Sequence, residues 1–204
     1  MNIFFILISF PLLLLAITVH EFAHGWTAYK LGDTTAKDLG RLTLNPLAHI
    51  DLFGTILLPV MLFIATRGAF VFGAAKPVPV NFANLRNPRR DTIWVGLSGP
   101  LANFIFAFLC GLAIRFIGLN QQFGLIFLLL IQINVVLAVF NLIPIPPLDG
   151  SRVVMGILPE PAARIYRAIE PWGFFIIILL IYLGLFDMIR PIIRAILAIL
   201  MNGF

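Results

Sequence analysis

The sequence has 204 residues, 61% of them hydrophobic and 11% charged, with a mean hydropathy of +1.04. About a quarter of a soluble domain is charged, so a soluble globule is excluded; the length suits about five or six membrane segments with short loops between them. The formal charge of +5 is, in such a chain, first a signal of orientation, and the lone cysteine, Cys110, excludes a disulfide framework and any Cys-x-x-Cys pair.

Charge-free runs cover residues 1–19, 52–66, 92–114, 116–148 and 171–186, with a shorter one at 195–204. The first has no basic flank before it and is read as a span rather than a cleaved signal peptide. Residues 39–46 alternate apolar and polar side chains, the pattern of a short strand. The run 52–66 is marginal in length, and its Gly54 and Pro59 suit an interrupted helix. Within 67–91, the stretch Lys76-Pro77-Val78-Pro79-Val80-Asn81 predicts extended chain, because residues before proline avoid the helical region. The runs 92–114 and 116–148 give two further spans. The run 171–186 gives another, and 188–204, with Arg190 and Arg194 four apart, reads as an interfacial helix or a final short span. The expected fold is an all-α polytopic membrane protein, a bundle of about five to six membrane segments with short extended or β elements in its loops. With no internal repeat or linker, 1–204 is read as one domain, its core about 1–158 and its C-terminal helices about 160–204.

The chemistry begins where the first apolar run ends. His20-Glu21-Phe22-Ala23-His24 is an H-E-x-x-H pattern. On a helix, residues four apart share a face about 6 Å apart along the axis, so both imidazoles can converge on one ion while Glu21 stays free to hold water. An unpaired carboxylate at membrane depth is costly and is usually retained for function. A catalytic zinc takes three protein ligands, so a third must come from elsewhere: His49, Asp33, Asp38, Asp51 and Asp149 are the candidates. Asp149 is set apart by its setting, Asn141-Leu-Ile-Pro144-Ile-Pro146-Pro147-Leu-Asp149-Gly150. Three prolines in four positions forbid continued helix, and unwound backbone at membrane depth is tolerated only beside protein or a water-filled cavity. Ser98-Gly99-Pro100-Leu-Ala-Asn103 invites a kink and places an amide in an apolar helix; Gln132 and Asn134 read as structural.

Together, His20-Glu21-x-x-His24, Gly99-Pro100-x-x-Asn103, and Asn141-x-x-Pro144 leading to Leu148-Asp149-Gly150 resemble the site-2 protease family of intramembrane zinc metalloproteases, from about residue 10 to 155. The resemblance implies Zn2+ held by His20, His24 and Asp149, with Glu21 as general base. It implies that Asn103 and Asn141 hold substrate backbone or the developing oxyanion. It further implies hydrolysis of peptide bonds in or near transmembrane segments of membrane-protein substrates. Many members carry a PDZ domain, and nothing in this sequence is long enough to be one.

For the two half-sites to meet at one depth, their spans must cross the same way, which requires 52–66 to be a re-entrant or partly inserted element. Residues 30–91 and 149–170 then share a side with Lys30, Lys37, Arg41, Arg67, Lys76, Arg86, Arg89, Arg90, Arg152, Arg164 and Arg167, eleven of the fourteen basic residues. The loop 119–122 opposite has none. The positive-inside rule puts the active-site end in the cytoplasm and the N-terminus outside, and the expected location is a bacterial or archaeal cell membrane. Topology thus accounts for the basic residues, and nucleic acid is not an expected partner; the lipid bilayer and a transmembrane protein substrate are. The competing reading is a metal-ion transporter using the same His/Asp cluster as a transit site, which would tolerate Glu21→Gln. Oligomeric state has no signature in the sequence. The extended segments near 42–45 or 77–81 are candidates to pair with an unwound substrate by strand addition.

Overall fold

A computed structural model describes residues 3–65, 75–117 and 121–202. Four helical stretches among them are long and apolar enough to cross a bilayer: Leu7–Lys30, Pro88–Ile117, Phe123–Asn141 and Glu160–Tyr182. Large apolar side chains such as Leu109, Leu125 and Leu179 are exposed on them, as lipid-facing residues are. No strand forms among the described residues.

Helix α1, Ile3–Lys30, is stopped by Gly32, whose φ of 114° a residue with a Cβ rarely adopts. The N–H of Asp33 bonds Ala28 O at 2.9 Å and that of Gly32 bonds Tyr29 O at 3.2 Å, the paired bonds of a Schellman stop, with Lys30 in the last turn. A short helix α2, Thr35–Asp38, follows. The alternating segment 39–46 does not become a paired strand: Gly40 turns the chain at φ 64°, and Asn45 caps a 3-10 turn, Pro46–His49, by accepting from Leu47 N. A wide π-type turn, Leu52–Leu57, leads into α3, Leu58–Ala65. Asp51 Oδ1 accepts from Gly54 N at 2.6 Å while Thr55 Oγ1 accepts from Asp51 N at 2.9 Å, a reciprocal cap for this start. These two elements lie within 52–66, the segment expected to be re-entrant or partly inserted. Thr66 at its end, the loop residue Arg67, and residues 118–120 of the loop opposite lie outside the described residues.

Helix α4, Pro88–Ile117, is the central element, packed against α1, α5 and α6. Its buried face carries Gly96, Gly99, Asn103, Ala107 and Gly111, small residues at helical spacing that let neighbours approach closely. Helix α5, Gln121–Asn141, ends at the proline cluster, where Pro146 and Pro147 are joined by a cis peptide bond, and α6, Asp149–Ile157, starts from it. Arg89 caps the far end of α6, donating to Gly156 O, Ile157 O and Leu158 O. The fourth apolar stretch starts at Glu160, earlier than the charge-free run, because α7, Glu160–Ile169, continues through the turn Glu170–Trp172 into α8, Gly173–Tyr182. Helix α9, Leu185–Asn202, seats Leu185 and Ile189 on a core with Ala107 and Cys110 of α4 and Ile131, Val135 and Val139 of α5.

Candidate metal centre

Because α4 and its proline-rich neighbour abut α1, the two halves of the pattern meet. His20 Nε2 and His24 Nε2 are 3.0 Å apart, and Asp149 Oδ2 lies 3.0 Å from the first and 3.1 Å from the second. Both histidines are buried. A tetrahedral zinc about 2.0–2.1 Å from each ligand sets ligand atoms about 3.3 Å apart, close to what these three atoms already show. The opposite edges of the rings are committed. His20 Nδ1 donates to Asn103 Oδ1 at 2.6 Å and His24 Nδ1 to Val95 O at 2.7 Å, so both Nε2 lone pairs face each other, an arrangement that a cation relieves. Among the described residues, His20, His24 and Asp149 are the one group of three or more His, Cys, Asp or Glu side chains able to share an ion, and the donor set fits zinc.

The local sequence explains the closeness. A Cβ at Gly99 would stand 2.4 Å from His24 Nε2 and 2.6 Å from His20 Nε2, so only glycine lets α4 lie against the imidazoles. One at Gly150 would stand 2.2 Å from Leu142 O, so only glycine lets α6 start against the chain that leaves α5. Pro100 has no N–H for the carbonyl of Gly96, loosening α4 one residue from the Val95 carbonyl that receives His24; Ser98 Oγ also donates to that carbonyl at 2.7 Å.

Glu21 is not among the three. It lines the same cavity, about 330 Å³, with His20, His24, Asp149, Asn141 and the segment carrying Pro77, Val78 and Val80. Its Oε2 accepts the backbone N–H of Val78 at 2.7 Å. That segment is extended, as its prolines predict, and is held at both ends: Lys76 N donates to His49 O, Arg41 to the carbonyls of Lys76 and Pro77, and Asn81 N to Asp33 Oδ2.

The other ligand candidates stand elsewhere. His49 Nε2 is on Thr43 O at 3.0 Å, Asp38 accepts from Thr34, Asp51 caps the π-type turn, and Asp33 binds Thr35, Asn81 and Asn84. Asn103 does not fit the substrate role expected of it. It is fully buried, and its amide is occupied by His20, by Ala16 O and by Asn134 Oδ1, leaving nothing for a substrate carbonyl. Asn134, read as structural from sequence, is joined to the centre through it. Asn141 lines the cavity, its Nδ2 donating to Leu137 O at 3.0 Å. The Val78 N–H had no signal in the sequence, since main-chain donors carry none.

A helical membrane bundle with this convergence at a cavity defines a membrane-embedded metallohydrolase. Comparison with known proteins narrows the class. The profile of peptidase family M50 matches residues 8–120 and 117–183. The chain is 39% identical over 181 residues to the Bacillus subtilis (strain 168) protein named "Putative zinc metalloprotease YwhC", covering 82% of this chain and 77% of that one. It is 32% identical over 178 residues to "Putative zinc metalloprotease Rip2" of Mycolicibacterium smegmatis, covering 82% and 64%. It is 25% identical over 159 residues to "Zinc metalloprotease MJ0392" of Methanocaldococcus jannaschii, covering 78% and 37%. No solved structure matches the chain. The chain therefore belongs to peptidase family M50, the site-2 protease family, and is an integral membrane zinc metalloprotease.

Proposed function

We propose that this protease hydrolyses peptide bonds in or near transmembrane segments of membrane-protein substrates, with Glu21 as general base. The observation that carries the reading is that Glu21 shares the cavity of the His20, His24 and Asp149 ligand atoms without being one of them. In this reading those three hold zinc, which when bound polarises a carbonyl and lowers the pKa of water towards 7. Glu21, held at Oε2 by Val78, takes the water's proton and returns it to the leaving amine, so no serine or cysteine nucleophile is needed. Asn141, on the cavity wall, is the side chain placed to meet the substrate's backbone.

The substrate helix must unwind to expose its carbonyl. Along 76–81 the N–H groups of Lys76, Val78 and Asn81 are already engaged and Pro77 and Pro79 have none, so strand addition there rests on carbonyls and Val80 N–H. In this reading the protein sits in a bacterial or archaeal cell membrane, and the distribution of basic residues supports a cavity facing the cytoplasm. The packing of α9 on the core of α4 and α5 supports reading 1–204 as one domain. The decisive experiment compares the protein with Glu21→Gln in reconstituted vesicles carrying single-span proteins, with zinc assayed in both. Loss of cleavage with zinc retained supports the reading; equal cleavage by both removes Glu21 from the chemistry.

A further inference from the structure

We infer that Asn134 is a positioning residue for the metal centre: with Asn103 it forms a buried amide relay that fixes which nitrogen of His20 carries the proton. The inference rests on the reading above, that His20 holds zinc through Nε2. The relay starts from main-chain carbonyls, which can only accept. Leu130 O takes Asn134 Nδ2 at 2.8 Å, and Ala16 O takes Asn103 Nδ2 at 3.1 Å, so neither amide is free to flip. Asn134 Oδ1 therefore faces out as an acceptor and receives the second N–H of Asn103 at 2.7 Å. Asn103 Oδ1 is in turn an acceptor, and the His20 nitrogen 2.6 Å from it, Nδ1, must carry the hydrogen. The Nε2 lone pair is then directed at Asp149 and His24, as a ligand needs. Asn103 and Asn134 are both 0% exposed, so no water competes for these groups. His24 needs no such relay, because Val95 O is itself a fixed acceptor. Helix α5 thus acts on His20 through Asn103 of α4.

The test measures zinc affinity by competition with a chromophoric chelator, in detergent, with helicity of the metal-free protein as the control for folding. Asn134→Leu is expected to weaken zinc about tenfold and to alter the ligand-field absorption of the cobalt-substituted protein. Asn103→Asp offers His20 an acceptor whichever way it turns, but sets carboxylate oxygens against Asn134 Oδ1 and Ala16 O. In that background Asn134→Leu removes one facing acceptor and should strengthen zinc binding, reversing its sign. Equal weakening in both backgrounds, or unchanged affinity and cobalt spectrum in Asn134→Leu, overturns the relay. If Asn134→Leu does not fold, Asn134→Ala carries the same expectations. His20→Ala separates the two readings. If it loses zinc while Asn134→Leu does not, only the relay falls; if it keeps zinc at full affinity, the ligand assignment falls and the relay with it.

Discussion

The backbone N–H of Val78 donates to Oε2 of Glu21 at 2.7 Å, so the carboxylate beside the two histidines is oriented by a segment 57 residues further along the chain. The Val78 side chain seats against Gly25, where a Cβ would stand 2.8 Å from Val78 Cγ1. The segment is therefore fastened to α1 just past the turn that carries His20 and His24.

Replacing that one donor tests what the contact does. Val78→Pro removes the N–H in a stretch already flanked by Pro77 and Pro79, so the extended backbone is preserved. Turnover should fall by about ten- to a hundredfold through misplacement of Glu21, with zinc content unchanged. Full activity in this variant would show that Glu21 needs no holding from this side.

Gly99 makes the opposite kind of prediction. Alanine is the better helix former by about 1 kcal/mol, so Gly99→Ala should not destabilise α4 through propensity. The new Cβ nevertheless falls 2.4–2.6 Å from the imidazoles, which cannot retreat because Asn103 and Val95 O hold their far edges. The variant should insert and fold yet lose zinc, with cleavage down by at least about a hundredfold. Normal zinc stoichiometry by elemental analysis would contradict this.

The convergence of His20 and His24 was legible because i, i+4 spacing is a local property of helix geometry, and the unwound chain before Asp149 because three prolines announce it in an apolar setting. The roles of the amides were not. An asparagine in an apolar helix reads the same whether it pairs with a neighbour's backbone or orients an imidazole, and only the packing of α1, α4 and α5 places Asn103 between His20 and Asn134. The alternation at 39–46 misled for a related reason. Period two marks the faces of a sheet only where a partner strand exists; here Leu42 packs towards Gly25 while Leu44 is exposed, and Arg41 reaches the carbonyls of residues 76 and 77.

Zinc should be a structural clamp as well as a cofactor. His20 and His24 belong to α1 and Asp149 opens α6, 125 residues beyond His24, so an ion held as proposed joins two elements distant in the chain. Chelation should abolish cleavage and lower the unfolding temperature, and zinc should restore both. Saturation at about a thousand times Kd corresponds to about 4 kcal/mol of added stability. An unfolding temperature indifferent to chelation would mean that the ion is not held between these helices.

Asp33 sets the acid limit of the assembly that carries Val78. It is fully buried, and burial opposes its charge, but hydrogen bonds from Thr35 Oγ1, Asn81 N, Asn84 and Thr35 N outweigh that and hold its carboxyl below the usual range. A carboxyl whose folded pKa is depressed contributes stability above its unfolded pKa, about 3.9, and the contribution drains away as the pH falls from there through the lower folded value. At neutral pH, Asp33→Asn should cost about 1–3 kcal/mol, because one of its oxygens becomes a donor facing donors. Acidification below about pH 4 should then narrow the gap between the variant and the parent. Thermal unfolding in detergent at pH 7 and at low pH measures both stabilities; a gap that stays constant or widens in acid would show that the ionised form of Asp33 is not what ties residues 81–84 to the end of α1.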